Sequence, residues 1–376
     1  MQFIDLKTQQ TKIRSKIEKR LTQVLDHGQY ILGPEIKELE NKLASYVNCK
    51  HAMAVSSGTD ALLLALMCYD IGSDDAILTT PFTFIATAEV ICLLGATPIF
   101  VDVDPKTYNI DPDAIEKTLL DCKEASHFNK NIRGIIAVDL FGLPADYAAI
   151  NDIAKKNDLF VIEDAAQSFG ATYDGKKACS LADIACTSFF PAKPLGGYGD
   201  GGMCFTNDDK HASKIKSLLV HGQGNHRYEH IHIGINGRLD TFQAAVLLEK
   251  FNIFPEECVL RQQVAENYSR GFKDQPDITI PYIPKEYQSV WAQYSILLKH
   301  SRQRDQLQKH LNDNNIPSAI YYPIPIHKQP AFKTMNSKSL PLSEQFSQRI
   351  MSLPMHPYLN DSQQDVIIKT VLEGIK

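Results

Sequence analysis

Apolar positions follow two different spacings along this chain, and their alternation predicts its secondary structure. Near the start, apolar residues three or four positions apart predict one helix through Ile13 to Leu25 and, after a turn at 28–33, a second helix that begins at Pro34. From residue 52 to about 207, short continuous apolar runs alternate with amphipathic stretches. Continuous apolar runs are typical of parallel strands buried on both faces. The pattern therefore predicts an α/β fold with a mostly parallel central sheet.

The predicted elements divide the chain into two domains. The first carries the predicted strands Ala52–Val55, Ala76–Thr80, Thr97–Val103, Gly134–Asp139, Phe160–Glu163, Ala185–Phe189 and Met203–Thr206, and the predicted helices Thr59–Asp70, Phe84–Leu94, Asp111–Leu120 and Asp146–Asn157. A long helix over Thr241–Lys250 leads to Pro255, where the pattern changes. Beyond it we expect a strand near Val290–Leu298, a helix over Arg304–Asn314 and a strand over Ser318–Tyr322. The sequence thus predicts a large domain over residues 1–254, with N-terminal helices, and a smaller C-terminal α/β domain over residues 255–376.

The composition is ordinary for a globular protein of 376 residues and argues against several classes of function. A formal net charge of -5, without a block of Lys or Arg, argues against nucleic-acid binding. No apolar run reaches the ~20 residues that a membrane span needs, and the first residues lack the pattern of a signal peptide. The cysteines form no C-x-x-C pair, which favours reduced thiols. We expect a cytoplasmic protein that binds neither nucleic acid nor membrane.

Polar clusters at the ends of predicted strands are the first candidates for chemistry. The segment 56–60, Ser-Ser-Gly-Thr-Asp, leads from a strand into a helix. It is either an ordinary helix cap or a phosphate site at the positive end of the helix dipole. A second cluster, Glu163 to Gln167, brings two carboxylates to a strand end, where ligands collect in open α/β sheets. A buried carboxylate there needs a cation, such as a protonated pyridine nitrogen, unless it is a loop residue that caps a neighbouring helix.

A third cluster is centred on Lys193. This lysine follows a predicted strand and precedes a glycine-rich stretch over 196–202, where backbone can approach a ligand closely. A single lysine is usually a surface residue, but lysine is also the side chain that forms a Schiff base with an aldehyde cofactor. The glycines precede a strand instead of joining a strand to a helix, which argues against a dinucleotide fingerprint. His226, His230 and His232 have no carboxylate or thiol at helical ligand spacing, so no metal site is predicted.

In their order along the chain these motifs resemble the DegT/DnrJ/EryC1/StrS sugar aminotransferases, which have the pyridoxal phosphate (PLP)-dependent fold type I, the aspartate aminotransferase-like fold. The likeness spans essentially the whole chain. It rests on 30–35 (Tyr-Ile-Leu-Gly-Pro-Glu), 57–59 (Ser-Gly-Thr), 81–84 (Pro-Phe-Thr-Phe), 163–167, 188–193, 199–202 (Gly-Asp-Gly-Gly), 236–239 (Asn-Gly-Arg-Leu), 322–323 (Tyr-Pro) and 353–357 (Leu-Pro-Met-His-Pro). The resemblance implies transfer of an amino group from L-glutamate to a nucleotide-linked keto-sugar, with pyridoxal 5'-phosphate as the cofactor.

The resemblance also implies a role for individual residues around the cofactor. Lys193 resembles the lysine that forms the Schiff base with PLP and moves the proton. Asp164 resembles the partner of the pyridinium nitrogen, and Gln167 the contact to the ring hydroxyl oxygen. Phe84 stands where relatives stack an aromatic side chain on the ring. The remaining cofactor contacts implied are those of the phosphate cradle: Gly58, Thr59 and Ser188.

A homodimer with composite active sites is implied as well. Asn236 resembles the asparagine that reaches the phosphate in the neighbouring subunit, and Arg238 would meet a sugar carboxylate across the same interface. Tyr322 belongs to the substrate side of the site, and Tyr321 stands where relatives often carry a histidine near the sugar. Within the family, the chain is most similar to the members that aminate UDP-2-acetamido-2-deoxy-3-oxo-D-glucuronate at C3, a step in the synthesis of sugars for bacterial O-antigen.

Other functions remain open from the sequence alone. The acceptor could be another dTDP- or UDP-linked keto-sugar, aminated at C3 or C4. A PLP-dependent sugar dehydratase of the same fold has a histidine in place of the lysine, so Lys193 argues against it. A non-catalytic PLP-binding protein would tolerate the loss of Lys193 or Asp164, and both are present.

Overall fold

The computed structural model describes residues 1–125, 129–333, 335 and 338–375, and its helices and strands alternate through the first two thirds of the chain. The helices are α1 (Leu6–His27), α2 (Pro34–Val47), α3 (Gly58–Cys68), α4 (Ala86–Leu93), α5 (Pro112–Glu124), α6 (Tyr147–Lys156), α7 (Asp209–Leu218), α8 (Thr241–Phe272), α9 (Ser301–Asp313), α10 (Pro341–Arg349) and α11 (Asp361–Gly374). The strands are β1 (His51–Val55), β2 (Asp75–Thr79), β3 (Thr97–Phe100), β4 (Asn131–Val138), β5 (Phe160–Asp164), β6 (Thr172–Tyr173), β7 (Lys176–Lys177), β8 (Ile184–Ser188), β9 (Gly202–Thr206), β10 (Ile278–Thr279), β11 (Tyr287–Gln288), β12 (Tyr294–Leu298) and β13 (Ile350–Leu353).

A central sheet organises the larger part of the molecule. In the described residues it has seven strands in the order β1-β9-β8-β5-β4-β2-β3. Strand β9 is antiparallel to both of its neighbours, and the pairs from β8 to β3 are parallel. The predicted α/β fold with a mostly parallel sheet is therefore confirmed. The carboxyl ends of the parallel strands meet at one edge, which is where such sheets bind ligands.

Both faces of the sheet are buried, as the continuous apolar runs predict. Strand β1 shows this directly, because its alternate side chains enter different cores. Met53 and Val55 pack in the core that α3 and α7 cover, whereas Ala52 and Ala54 pack in the core under α2 and α8. Since successive side chains of a strand point to opposite faces, apolar residues are needed at every position.

Helix α8 differs from its prediction. A helix over Thr241–Lys250 was expected to lead to Pro255, but the helix continues through Pro255 to Phe272, so its predicted end is wrong. A proline inside a helix costs about 3 kcal/mol. Aromatic packing around it offsets this cost, because the Tyr46 ring on α2 lies 5.2 Å from the Phe251 ring and 6.2 Å from the Phe254 ring. The predicted domain boundary near residue 255 falls inside this helix, and the division into two domains stays a prediction.

The C-terminal part packs helices on a small antiparallel sheet. Strands β10, β12 and β13 form this sheet, and α11 contacts both α8 and α9 beside it. Of the predicted elements here, the strand near Val290–Leu298 is shorter and the strand over Ser318–Tyr322 is wrong, because that segment makes only the isolated bridge of Ala319 to Ser352. Tyr321 and Tyr322 instead pack against a buried apolar cluster that includes Phe82 and Phe141. In the part of the chain described, no helix is both long and apolar enough to cross a membrane.

Candidate active site

The predicted site residues gather where several parallel strands end. Asp164 is the last residue of β5 and Ser188 the last residue of β8. Helix α3 begins at Gly58, just after β1, and the segment that leads from β2 into α4 carries Phe84. The sheet therefore brings residues far apart in sequence to a single edge.

Asp164 is a buried carboxylate with a small set of donors. Its Oδ2 accepts a hydrogen bond of 2.8 Å from the Thr87 hydroxyl on α4, and its Oδ1 accepts one of 3.2 Å from the backbone N–H of Ala166. Burial raises the pKa of Asp164, and these two donors together with the charge of Lys193 pull that pKa down. A buried carboxylate charge is costly unless a cation lies beside it. The site of Asp164 therefore favours the binding of a further cationic donor.

Lys193 stands in a tight turn after β8 and faces the Asp164 charge. Its backbone N–H donates to the carbonyl of Phe190 at 2.9 Å, and Gln243 holds the loop that follows by accepting from the Tyr198 N–H at 2.8 Å. Burial lowers the pKa of the Lys193 ammonium, and the charge of Asp164 opposes part of this effect. A lysine with a lowered pKa has more of its amine in the neutral, nucleophilic form near pH 7.

Gln167 is oriented by its surroundings. Its Oε1 accepts a hydrogen bond of 2.8 Å from the Phe141 N–H, so its Nε2 is the end that donates to the Tyr322 hydroxyl at 3.3 Å. The Phe84 ring lies 6.5 Å from the Tyr322 ring and is 55% exposed, which leaves one of its sides open to a flat ligand. The site therefore offers an amide donor and an aromatic face beside the Lys193 turn.

An anion cradle lies at the start of α3. The Ser57 side chain caps this helix and accepts from the Asp60 N–H at 3.0 Å, while the N–H groups of the first turn have no partner within the helix. The backbone of Gly58 approaches β8 so closely that a Cβ there would lie 2.7 Å from Cβ of Ser188. Only glycine fits, and the positive end of the helix dipole faces the Ser188 hydroxyl. This arrangement can bind a phosphate.

Two predicted site residues make no hydrogen bond to Lys193 or Asp164 in the described residues. Asn236 is exposed, and Arg238 lies beside β1, whose last residue it bridges. The Arg238 Nε is buried and, in the described residues, without a hydrogen-bond partner. No hydrogen bond or ion pair of the described chain joins either residue to Lys193 or Asp164.

Tyr321, by contrast, is near the site. Its ring centroid lies 5.8 Å from that of Tyr322 and 6.4 Å from that of Phe3. The N-terminal segment therefore reaches the same region of the molecule as the 321–322 pair.

Sequence reasoning missed two features around this site. Thr87, which holds Asp164, lies 77 positions away from it in the chain and carries no motif of its own. Glu163, the neighbour of Asp164, points away from the site and accepts from the N–H groups of Cys179 and Leu181 at 2.6 and 3.0 Å. It lies against Asp139, so one strand end carries carboxylates in two separate environments.

The histidine-rich loop does not form a metal centre with other described residues. His226 and His230 are exposed, and among the residues that the structure describes no group of three or more His, Cys, Asp or Glu side chains is arranged to hold a metal ion. The chemistry of the site is thus that of a buried acid, a lysine, an amide, an aromatic face and an anion cradle.

Comparison with known proteins agrees with this geometry. The sequence profile of the DegT/DnrJ/EryC1/StrS aminotransferase family matches residues 11–372. The chain belongs to this family. A relative from Pseudomonas aeruginosa, UDP-2-acetamido-2-deoxy-3-oxo-D-glucuronate aminotransferase, is 48% identical over 98% of this chain and 98% of its own. The predicted family, fold class and aminotransferase activity are confirmed.

Solved structures of family members have the same fold. A DegT/DnrJ/EryC1/StrS aminotransferase from Brucella abortus is 45% identical, with a TM-score of 0.95 over 99% of both chains. The Bacillus subtilis protein NtdA, whose crystal structure contains the cofactor pyridoxamine 5'-phosphate (PMP), is 28% identical to this chain. Its TM-score is 0.88 over 97% of this chain and 82% of that one.

Proposed function

We propose that this protein uses pyridoxal 5'-phosphate to transfer the amino group of L-glutamate to C3 of UDP-2-acetamido-2-deoxy-3-oxo-D-glucuronate. The observation that carries the proposal is that Lys193 lies within the electrostatic influence of the buried, hydrogen-bonded Asp164 at the carboxyl edge of the sheet. The similarity to the P. aeruginosa enzyme supports the choice of substrate.

The residues present fit the cofactor at each of its polar groups. The α3 N-terminus with Gly58, Thr59 and Ser188 would hold the phosphate. Asp164 would pair with the ring nitrogen, which supplies the cation that a buried carboxylate requires. When bound, PLP supplies an aldehyde that carries the amino group and a protonated ring that draws electrons from the substrate carbon.

The chain's own residues then control orientation and proton movement. Gln167 would donate from Nε2 to the ring hydroxyl oxygen, because its Oε1 is occupied by the Phe141 N–H. Phe84 would cover one face of the ring and exclude water from it. Lys193 would attach the cofactor and, once released, move the proton at the reacting carbon, a role that its lowered pKa favours.

We infer a homodimer whose active sites are completed by Asn236 and Arg238 of the neighbouring subunit. Three observations support this. Neither residue makes a hydrogen bond to Lys193 or Asp164 of its own chain in the described residues, and the Arg238 Nε is buried there without a partner. Large apolar side chains are also exposed in neighbouring loops, which is typical of an interface; they include Tyr30, Ile31, Leu32, Phe190, Tyr228, Ile231 and Ile233.

Arg238 is the residue that we propose selects a uronic acid as the acceptor. A guanidinium binds a carboxylate through two parallel hydrogen bonds, so Arg238 would recognise the C6 carboxylate of a uronic acid. Tyr321 and Tyr322 would line the sugar side of the site, with Tyr321 in the position where relatives often have a histidine. We propose that the reaction takes place in the bacterial cytoplasm and supplies an amino sugar for lipopolysaccharide O-antigen.

The test is spectroscopic and then chemical. The visible absorption band of the PLP-loaded protein is expected to bleach when L-glutamate is added and to return when the 3-oxo uronate is supplied, with formation of the 3-amino sugar followed by mass spectrometry. A protein that binds PLP but shows no change with glutamate would support the alternative of a non-catalytic PLP-binding protein.

The substrate is tested separately with a matched pair of acceptors. Arg238→Ala is expected to lower kcat/KM for the 3-oxo uronate about 30-fold or more, because a charged hydrogen-bond pair is lost. The same nucleotide sugar with CH₂OH in place of the C6 carboxylate serves as the control and should lose much less. Equal losses on both acceptors would contradict the carboxylate role and favour an aminotransferase for another dTDP- or UDP-linked keto-sugar.

A further inference from the structure

The buried carboxylate of Asp164 has an unusual partner, the hydroxyl of Thr87. Thr87 is 1% exposed and lies in the first turn of α4, and its Oγ1 donates to Asp164 Oδ2 at 2.8 Å. A threonine in a helix commonly bonds its hydroxyl to a backbone carbonyl one turn earlier. Here the hydroxyl instead joins α4 to the end of β5, so it contacts the one carboxylate that the proposed function uses.

The direction of this hydrogen bond is fixed by its neighbours. An ionised carboxylate only accepts, so the proton on the Thr87 oxygen points to Asp164. The Thr83 hydroxyl lies 3.3 Å from the Thr87 hydroxyl and can donate to it, which completes a chain of two hydroxyls that ends on the carboxylate. Such a chain strengthens the last bond, because each donor polarises the next.

We propose that Thr87 is a positioning residue that holds Asp164 charged and oriented toward the ring nitrogen of the cofactor; this inference rests on the proposed function. The same short segment carries Phe84, the predicted stacking residue, three positions earlier. The start of α4 would therefore contribute twice to cofactor binding, with an aromatic face above the ring and a hydroxyl behind its carboxylate partner.

The charge of Asp164 depends on few other groups, which makes the effect of Thr87 measurable. The Ala166 N–H is the other hydrogen-bond donor to the carboxylate in the described residues, and Lys193 is the cation nearby. The other titratable groups that face it are Tyr147, Cys186 and Tyr322, and burial raises the pKa of each of them. They are neutral at pH 5–8, so over that range the charge of Asp164 responds mainly to its donors and to Lys193.

The experiment measures binding of pyridoxamine 5'-phosphate to the cofactor-free protein by equilibrium dialysis between pH 5 and 9. This probe cannot form a covalent bond with Lys193. Its own phosphate also takes up a proton at about pH 6, so the contribution of Asp164 is measured as the difference between the variant and wild-type curves. Thr87→Val keeps the shape of the side chain and removes the hydroxyl. It is expected to shift the acid limb of the binding curve upward by about one pH unit, and so to weaken binding up to about tenfold at pH values below the wild-type midpoint. Thr87→Ser, which keeps the hydroxyl, should restore the wild-type curve.

A matched control separates this role from a general loss of packing. The Thr79 hydroxyl on β2 is also buried and donates to the Ile136 carbonyl at 3.0 Å, so Thr79→Val removes a similar bond without touching Asp164. It should leave the acid limb unchanged. If Thr87→Val does not fold, the comparison of Thr87→Ala with Thr87→Ser isolates the hydroxyl. An unshifted limb in the variant that lacks the hydroxyl overturns the role of Thr87 alone, whereas a wild-type protein that binds the probe at no pH overturns the proposed function with it.

Discussion

At the residue scale, Lys193 is the side chain on which the proposed chemistry depends. Replacing it with Ala removes both the cofactor attachment and the proton carrier, so we expect transamination to fall at least about 1,000-fold. Lys193→Arg keeps the positive charge but has no nucleophilic amine near neutral pH, and it should be equally inactive. Both variants should still bind PLP through the phosphate cradle and Asp164.

Glutamate-dependent turnover, followed with a coupled assay for 2-oxoglutarate, checks this prediction. Lys155→Ala serves as the control, because Lys155 is exposed on α6. A Lys193→Ala protein that retained steady-state transamination would remove Lys193 from the mechanism.

A second residue-scale prediction concerns the buried carboxyl pair behind the site. Asp139 accepts from Tyr147 and Ser168 at 2.8 and 2.6 Å and lies against Glu163; burial raises the pKa of both carboxyls, so the pair holds a proton. The unfolded chain gives up this proton near pH 4. Above about pH 4 the pair in the folded protein therefore holds a proton that the unfolded chain has lost, and it makes the free energy of unfolding fall as pH rises.

Asp139→Asn removes one of the two titrating carboxyls and should make this slope smaller. Urea unfolding of the cofactor-free protein at several pH values from 5 to 8 measures the slope. Asp152→Asn, at an exposed site on α6, is the control and should keep the wild-type slope. An unchanged slope in Asp139→Asn would mean that Asp139 does not hold the proton.

The residue scale also shows where sequence reasoning ends. Lys193, Asp164 and Gln167 could be singled out because each stands next to a strand in a motif, and the sheet does bring them to one edge. Thr87 could not, because its contact with Asp164 joins segments 77 positions apart. The different surroundings of Glu163 and Asp164 follow from the alternation of side chains along β5, which fixes opposite directions but does not say which of them faces the site.

At the element scale, helix α10 depends on a carboxylate from another part of the chain. The N-cap residue of α10, Leu340, has no polar side chain to accept from the N–H groups of the first turn. Asp102, just after β3, accepts from the N–H groups of Leu342 and Ser343 at 2.9 Å each and from the Ser343 hydroxyl at 2.6 Å. It therefore acts as a remote cap that also attaches α10 to the central region.

We expect Asp102→Ala to lower the free energy of unfolding by about 2 kcal/mol, a value at the upper end for a lost cap because Ser343 is fully buried. Urea denaturation of the purified protein measures this. Asp152→Ala, which removes an exposed carboxylate from α6, should change stability by less than about 0.5 kcal/mol. If Asp102→Ala loses no more than this control, the remote cap does not stabilise the fold.

Elements were predictable where local pattern and tertiary packing agree. The strands of the central sheet are continuous apolar runs, and the helices α5 and α6 begin where the sequence predicts, with Asp111 and Asp146 as their N-caps. The pattern failed where packing decides. Helix α8 continues through Pro255 because aromatic side chains bury its surface, and the apolar stretch at 318–322 pairs at a single bridge because its tyrosines pack against Phe82.

At the scale of the whole molecule, the proposed composite site predicts that two variants, each inactive as a homodimer, regain activity when they form a heterodimer. In a heterodimer of Lys193→Ala with Arg238→Ala, one active site combines both changes and the other combines neither. This follows because Lys193 and Arg238 of one chain would serve different sites. The purified heterodimer, isolated through two different affinity tags after co-expression, should have about half of the wild-type activity on the 3-oxo uronate.

The control for this experiment uses two residues that serve the same site. Lys193 and Asp164 of one chain lie together, so a heterodimer of Lys193→Ala with Asp164→Ala has one defect in each of its sites and should stay inactive. If Arg238 served the site of its own subunit, each site of the first heterodimer would carry one defect, as in the second. Recovery in the first heterodimer but not in the second therefore requires that Arg238 crosses the interface. Equal, low activity in both would mean that Arg238 acts within its own subunit or on stability. The Arg238 Nε, which is buried without a partner in the described residues, would then need one from its own chain.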